Sequence, residues 1–258
     1  MQPSVFPPSI QEGDLFLTSF PEAAISAISD TLDAQLPAML SITCFDLNQY
    51  RDRDYDRYGI SLPSFIEQAV QKRRAEYLAA RICARAALQQ FGIDALPQSV
   101  QGERRPYWPN ACVGSITHSD GIAASYVSTS RYMRSMGLDI EKWIDVSKVE
   151  RLAPAILTKN ELAYWNTLAT AMKATWLTRV FSAKETLFKL LNPLVGQSFY
   201  FHDAEVTEFN SQDNVLTLAL LVRLNDEFTI GYRCNIHYCD MPQWVITHCL
   251  IPTSIQQT

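Results

Sequence analysis

A helical pattern runs from about Ser64 to Phe91 and meets Gly92, a natural helix stop. Two strand-like stretches follow, Val113–His118 and Ile122–Ser128, joined by the turn signal Ser119-Asp120-Gly121. This pairing of one long helix with short alternating strands constrains the chain more than any other feature. The second half is built the same way. Met136–Glu141 reads as a strand, and helical spacing returns over about Ser147–Leu157, Lys159–Met172 and Lys173–Leu191. Apolar alternation then covers Ala204–Phe209, Val215–Leu224, Phe228–Tyr238 and Trp244–Leu250, the last two forming a hairpin over Asp240-Met241-Pro242-Gln243. Residues 1–40 are punctuated by Pro, with helical spacing near Glu22–Leu32. Ser41–Leu47 reads as a strand and Asp46–Tyr58 as a polar loop. The expected fold class is α+β, with two subdomains that each lay a small antiparallel sheet on a long helix. The composition break near Ser128–Ser135 divides them into residues 1–130 and 131–258.

A chain of 258 residues has room for one large domain or two small ones. Apolar residues make up 47% and charged residues 19%, which excludes a disordered chain. The net charge of −5 disfavours general nucleic-acid binding. Six Cys occur without a Cys-x-x-Cys pair. Neither a secretory leader nor an apolar run of membrane length is evident. A cytoplasmic protein with reduced thiols is expected.

Several clusters can carry chemistry. In Gly137-Leu138-Asp139-Ile140-Glu141, strand alternation turns Asp139 and Glu141 to one face. Two carboxylates about 6–7 Å apart repel unless a cation sits between them, and a hard ion such as Mg²⁺ suits them. Two hydrated acids at a strand end would look the same. In Phe181-Ser182-Ala183-Lys184-Glu185-Thr186-Leu187-Phe188-Lys189, the residues Val180, Ala183, Leu187, Leu190 and Leu191 form an apolar stripe. Glu185 and Lys189 are i,i+4 on the opposite side. They are a surface ion pair, or a third metal ligand or base with a lysine that meets a metal-bound anion.

Arg74, Arg81 and Arg85 fall within about 40° around a helix axis, either as a solvated basic face or as a grip for phosphate. Gly102-Glu103-Arg104-Arg105-Pro106-Tyr107-Trp108-Pro109 reads as a rigid loop presenting two more Arg. Thr117 and His118 stand at a strand end where both can donate to a phosphate. Neither a Gly-x-Ser-x-Gly elbow nor a phosphate-binding P-loop occurs. Cys234, His237, Cys239, His248 and Cys249 invite a zinc reading. Alternation separates Cys234 from His237 and Cys239, so buried strand residues are preferred.

In order, the chain carries Arg-Arg-x-Glu-Tyr-x-x-x-Arg from Arg73, Arg-Pro-x-Trp-Pro from Arg105 and Gly-Ser-Ile-Thr-His-Ser from Gly114. Gly-x-Asp-Ile-Glu from Gly137 and Phe-Ser-Ala-Lys-Glu-x-x-x-Lys from Phe181 follow. This series resembles the 4′-phosphopantetheinyl transferases of the Sfp type, in the branch that includes enterobactin synthase component D. The resemblance covers Arg73 to Lys189. It implies two similar halves related by a pseudo-twofold axis with an active site in the cleft between them. It also implies coenzyme A as donor, Mg²⁺ (with Mn²⁺ as a substitute) as cofactor, and a serine of an acyl, peptidyl or aryl carrier protein as acceptor. Adenosine 3′,5′-bisphosphate would leave, in siderophore or other secondary-metabolite synthesis. By the same resemblance Asp139, Glu141 and Glu185 are the metal-binding acids. Glu185 and Lys189 are the catalytic pair, with Lys189 near the diphosphate. Arg74, Arg81, Thr117 and His118 hold the nucleotide part of coenzyme A, and Arg104 or Arg105 stands where relatives carry a Lys. Arg131 and Arg134 are candidate carrier contacts, and a monomer is expected, binding neither nucleic acid nor membrane. Two rival readings keep the same pocket: a non-catalytic coenzyme A or nucleotide-binding module, and a Mg²⁺-dependent coenzyme A diphosphate hydrolase.

Overall fold

The computed structural model describes residues 2–33, 35–100, 102 and 105–254. The chain divides into two compact units, Met1–Met136 with Pro252–Thr258, and Gly137–Ile251. Both boundaries of this division, at 136/137 and 251/252, fall inside strands.

The first unit holds β1 (Ser4–Phe6), β2 (Leu17–Thr18), α1 (Glu22–Ser29), β3 (Met39–Phe45), α2 (Asp54–Arg57), α3 (Ser64–Glu67), α4 (Gln71–Gln89), β4 (Cys112–Ser119) and β5 (Ile122–Thr129). Its sheet runs β1-β3-β5-β4 with β2 on β3. All pairings are antiparallel except β1 with β3, which is parallel, so this sheet is mixed rather than purely antiparallel. α4 packs on β3 and β5 through Ala75, Leu78, Ala79 and Ile82, with Ala123 on the sheet side of the same core. Small Ala side chains let the helix backbone lie close to the strands.

The single helix expected from Ser64 is two helices. Ala69 and Val70 break it, and Val70 is extended at φ −61°, ψ 152°. Arg74 donates to the carbonyls of Ala69 at 2.6 Å and Glu67 at 3.4 Å, which gives those groups a partner outside a continuous helix. The turn between β4 and β5 takes positive φ at both Asp120 and Gly121, as a tight two-residue hairpin requires.

β6 (Met133–Lys142) crosses the division. The second unit continues with α5 (Val149–Ile156), α6 (Lys159–Thr167), α7 (Thr170–Val195), β7 (Ala204–Asn210), β8 (Val215–Leu220), β9 (Arg233–Asp240) and β10 (Trp244–Pro252). Its sheet runs β6-β10-β9-β8-β7. The apolar stripe of α7 behaves as expected: Leu187, Leu190 and Leu191 pack with Leu216, Leu218, Ile236 and Val245. The helix is buried beyond that stripe, because Thr178, Ser182 and Thr186 are also fully buried. Gly137 sets how closely β6 approaches α7. A Cβ there would lie 2.3 Å from the Thr186 carbonyl oxygen, so only glycine fits. The hairpin of β9 and β10 turns at Asp240–Trp244 as predicted, but β9 starts only at Arg233. Phe228 is spent closing a turn with Leu224, and Gly231 adopts φ 84°.

Candidate active site

In the second unit, Asp139 is buried on β6 and both its carboxylate oxygens are engaged from α7. Ser182 donates its hydroxyl to Oδ2 at 2.8 Å, and the Lys189 ammonium donates to Oδ1 at 2.7 Å. Ser182, Glu185 and Lys189 are spaced i, i+3, i+7, so the two residues that touch Asp139 bracket Glu185 on one helix face. Glu141, two residues along β6, leaves the strand on the same side as Asp139. Glu141 and Glu185 are half-buried.

Among the described residues, no three His, Cys, Asp or Glu side chains are gathered so as to hold a metal ion by themselves. This applies to the zinc reading as well. His237 and His248 instead stack across β9 and β10 at 5.4 Å between ring centres. For magnesium the donor chemistry still fits. Mg²⁺ usually takes one or two carboxylates and completes its shell with substrate phosphates and water rather than an all-protein cage. The Lys189 ammonium on Oδ1 shows that a cation is accommodated at this carboxylate.

The first unit gathers a second cluster at the start of α4. Arg73 Nη1 lies 2.6 Å from Nε2 of His118, and Nδ1 of His118 lies 3.4 Å from Oε2 of Glu76. A guanidinium only donates, so Nε2 accepts and the proton of the neutral ring sits on Nδ1, facing the carboxylate. Burial pushes the Glu76 carboxyl above the usual range, with the cations of Lys72 and Arg73 pulling the other way. Thr117 is buried on β4 beside this histidine.

Arg81 is 6% exposed, with its guanidinium 4.3 Å from the Tyr77 ring centre and Nη2 donating to Ser99 Oγ at 2.5 Å. Its Nε is buried without a hydrogen-bond partner. Burial lowers its pKa from that of an exposed guanidinium. A buried cation with a spare donor is a group whose cost an anionic ligand would offset.

The three arginines of the predicted stripe end on three different partners. Arg74 Nε donates to Asp52 at 2.9 Å, Arg81 takes Ser99, and Arg85 Nη1 donates to the Tyr58 carbonyl at 2.6 Å. Arg74 is thus occupied within the fold, and the arginine at His118 is its neighbour Arg73. Arg73 and Glu76 lie outside the expected arginine stripe of Arg74, Arg81 and Arg85. Their i,i+3 spacing in Arg-Arg-x-Glu was the signal available. Ser182 is likewise not among the expected site residues, although the spacing to Glu185 and Lys189 places it on the same face. Arg104 lies outside the described residues. Arg105 stacks on Tyr107 at 5.3 Å. Gln98 and Tyr107 are joined by paired backbone hydrogen bonds, and Trp108 fills the space over Gly114.

The sequence matches one family. Residues 63–128 match the 4′-phosphopantetheinyl transferase N-terminal domain, and residues 135–249 match the 4′-phosphopantetheinyl transferase superfamily. The chain belongs to that superfamily of transferases, which move phosphopantetheine onto carrier proteins. It is 32% identical over 174 residues to enterobactin synthase component D of Salmonella typhi, covering 67% of this chain and 70% of the relative. It is 32% identical over 181 residues to the 4′-phosphopantetheinyl transferase PptT of Mycobacterium tuberculosis, covering 69% and 78%. No helix among the described residues is long and apolar enough to cross a membrane.

Proposed function

We propose that the chain transfers the 4′-phosphopantetheine arm of coenzyme A to a carrier-protein serine, with Mg²⁺, releasing adenosine 3′,5′-bisphosphate. The observation that supports this most is the α7 face on which Ser182 and Lys189 both reach Asp139 with Glu185 between them. Asp139, Glu141 and Glu185 would hold the ion together with diphosphate oxygens, and the ion would supply charge neutralisation at the phosphates. Lys189 offsets charge on the non-bridging oxygens of the phosphorus under attack. Glu185 accepts the proton of the attacking serine.

At the nucleotide end, Arg73 and Arg81 take the 3′-phosphate, and His118 holds the Arg73 guanidinium through Nε2. Thr117, and Arg104 or Arg105, complete that set. Arg74 supports it indirectly, by fixing the start of α4. The reading includes a cytoplasmic monomer, and all six cysteines are free. Carriers of siderophore and other secondary-metabolite assembly are the first acceptors to try, and Arg131 and Arg134 the first contacts to test.

The experiment is intact-mass measurement of apo carrier proteins incubated with the chain, coenzyme A and Mg²⁺. A gain of one phosphopantetheine arm is expected. Coenzyme A bound tightly without turnover would favour a binding module, and coenzyme A cleaved without carrier would favour a hydrolase.

A further inference from the structure

Behind Asp139 runs a line of buried hydroxyls that the reaction itself does not use. Ser182 Oγ, which donates to Oδ2 of Asp139, lies 2.8 Å from Thr247 Oγ1, and Thr247 Oγ1 lies 2.6 Å from Thr186 Oγ1. All three residues are 0% exposed. Each hydroxyl has one proton, and an ionised carboxylate only accepts. The Ser182 proton is therefore spent on Asp139. Thr247 must then donate to Ser182, and Thr186 to Thr247. The further contacts, Thr247 Oγ1 to the Ser182 carbonyl at 3.0 Å and Thr186 Oγ1 to the Thr247 carbonyl at 3.1 Å, share those protons without changing their direction. The result is a one-way chain, Thr186 to Thr247 to Ser182 to Asp139, in which each bond polarises the next.

The chain makes the two carboxylate oxygens unequal. Oδ2 is tied to a fully buried hydroxyl, whereas Oδ1 meets the ammonium of the partly exposed Lys189. Ser182 and Thr186 are one turn apart on α7, and Thr247 comes from β10, the neighbour of β6 in the sheet. Helix and sheet together therefore fix the rotation of the carboxylate about its own bond.

We propose that Ser182, Thr247 and Thr186 are positioning residues for the metal-binding carboxylate of Asp139, turning Oδ1 toward the cation at the diphosphate. The inference rests on Asp139 being a metal ligand. Partners that orient a ligand in this way usually carry about 10–100-fold of metal affinity. A merely structural hydroxyl cluster would carry stability and leave metal affinity alone.

The test is titration of the full chain with Mn²⁺ in the presence of coenzyme A, following free Mn²⁺ by electron paramagnetic resonance. Ser182→Ala should weaken Mn²⁺ binding by about 10-fold or more. Thr247→Val, which keeps the volume and removes both the donor to Ser182 and the acceptor for Thr186, should weaken it in the same direction by less, and Thr247→Ser should restore it. The Mg²⁺ concentration giving half-maximal transfer should rise in parallel, while kcat at saturating Mg²⁺ falls by no more than roughly threefold. Folded Thr247→Val and Ser182→Ala proteins with wild-type Mn²⁺ affinity, beside an Asp139→Asn protein that has lost it, would overturn the inference. Wild-type affinity in Asp139→Asn as well would overturn the ligand assignment beneath it.

Discussion

The Lys189 ammonium lies 2.7 Å from Oδ1 of Asp139, a carboxylate whose side chain is 3% exposed. A buried carboxylate that loses its cation is left uncompensated, which costs about 3–5 kcal/mol when both partners are fully buried. Lys189 is 25% exposed, so solvent screening reduces that to about 1–2 kcal/mol. Lys189→Met should therefore lower thermal stability, and millimolar Mg²⁺ should raise the melting temperature of the variant more than that of the parent, because the ion replaces the missing charge. Equal Mg²⁺ responses in the two proteins would count against a metal at Asp139.

Adjacent arginines at the start of α4 have separate tasks. Arg73→Gln should raise KM for coenzyme A by about 10-fold or more, the loss of a charge-assisted phosphate contact, with little effect on a donor lacking the 3′-phosphate. Arg74→Gln should instead lower stability, because Asp52 and the Ala69 carbonyl lose their donor. Steady-state kinetics with coenzyme A and its 3′-dephospho form, beside denaturant melts, separates the two.

Lys184 is 1% exposed and donates to Glu161 at 2.6 Å and to the carbonyls of Ile156 and Phe201. Burial lowers its pKa and Glu161 opposes that shift. Lys184→Met should cost about 3–5 kcal/mol, since Glu161 would be buried without its cation. Urea unfolding measures this directly.

Burial, reinforced by His237, holds the His248 imidazole down at about 3. Its ordinary value is near 6.5, so between pH 6.5 and about 3 the unfolded chain binds a proton that the folded chain does not. Stability from this group is present in full above pH 6.5 and falls on acidification by up to about 1.4 kcal/mol per pH unit. His248→Asn should flatten that slope. Unfolding free energies from urea melts at pH 7 and pH 5 should differ less in the variant, by about 1–2 kcal/mol.

The pairing of Asp139 with Glu141, and of Glu185 with Lys189, on shared faces is legible because strand and helix periodicity set it whatever the tertiary fold. The α7 stripe was legible for the same reason. The task of Arg74 was not, because three arginines on one helical face look alike until loops arrive, and Asp52, Ser99 and Tyr58 each come from a different one. The break at Val70 was hidden because it depends on an arginine side chain capping carbonyls behind it. Ser182 and Thr247 were hidden because a buried hydroxyl network needs partners 65 residues apart.

The central claim is transfer from coenzyme A to a carrier serine with Glu185 as the base. The most direct measurement counts both products of one reaction: modified carrier by intact mass, and adenosine 3′,5′-bisphosphate by chromatography. They should appear in equal amounts, only when carrier and Mg²⁺ are both present. Glu185→Gln should reduce both together by about 10²–10⁴-fold while melting like the parent. Adenosine 3′,5′-bisphosphate formed without carrier, or undiminished transfer by Glu185→Gln, would contradict the account.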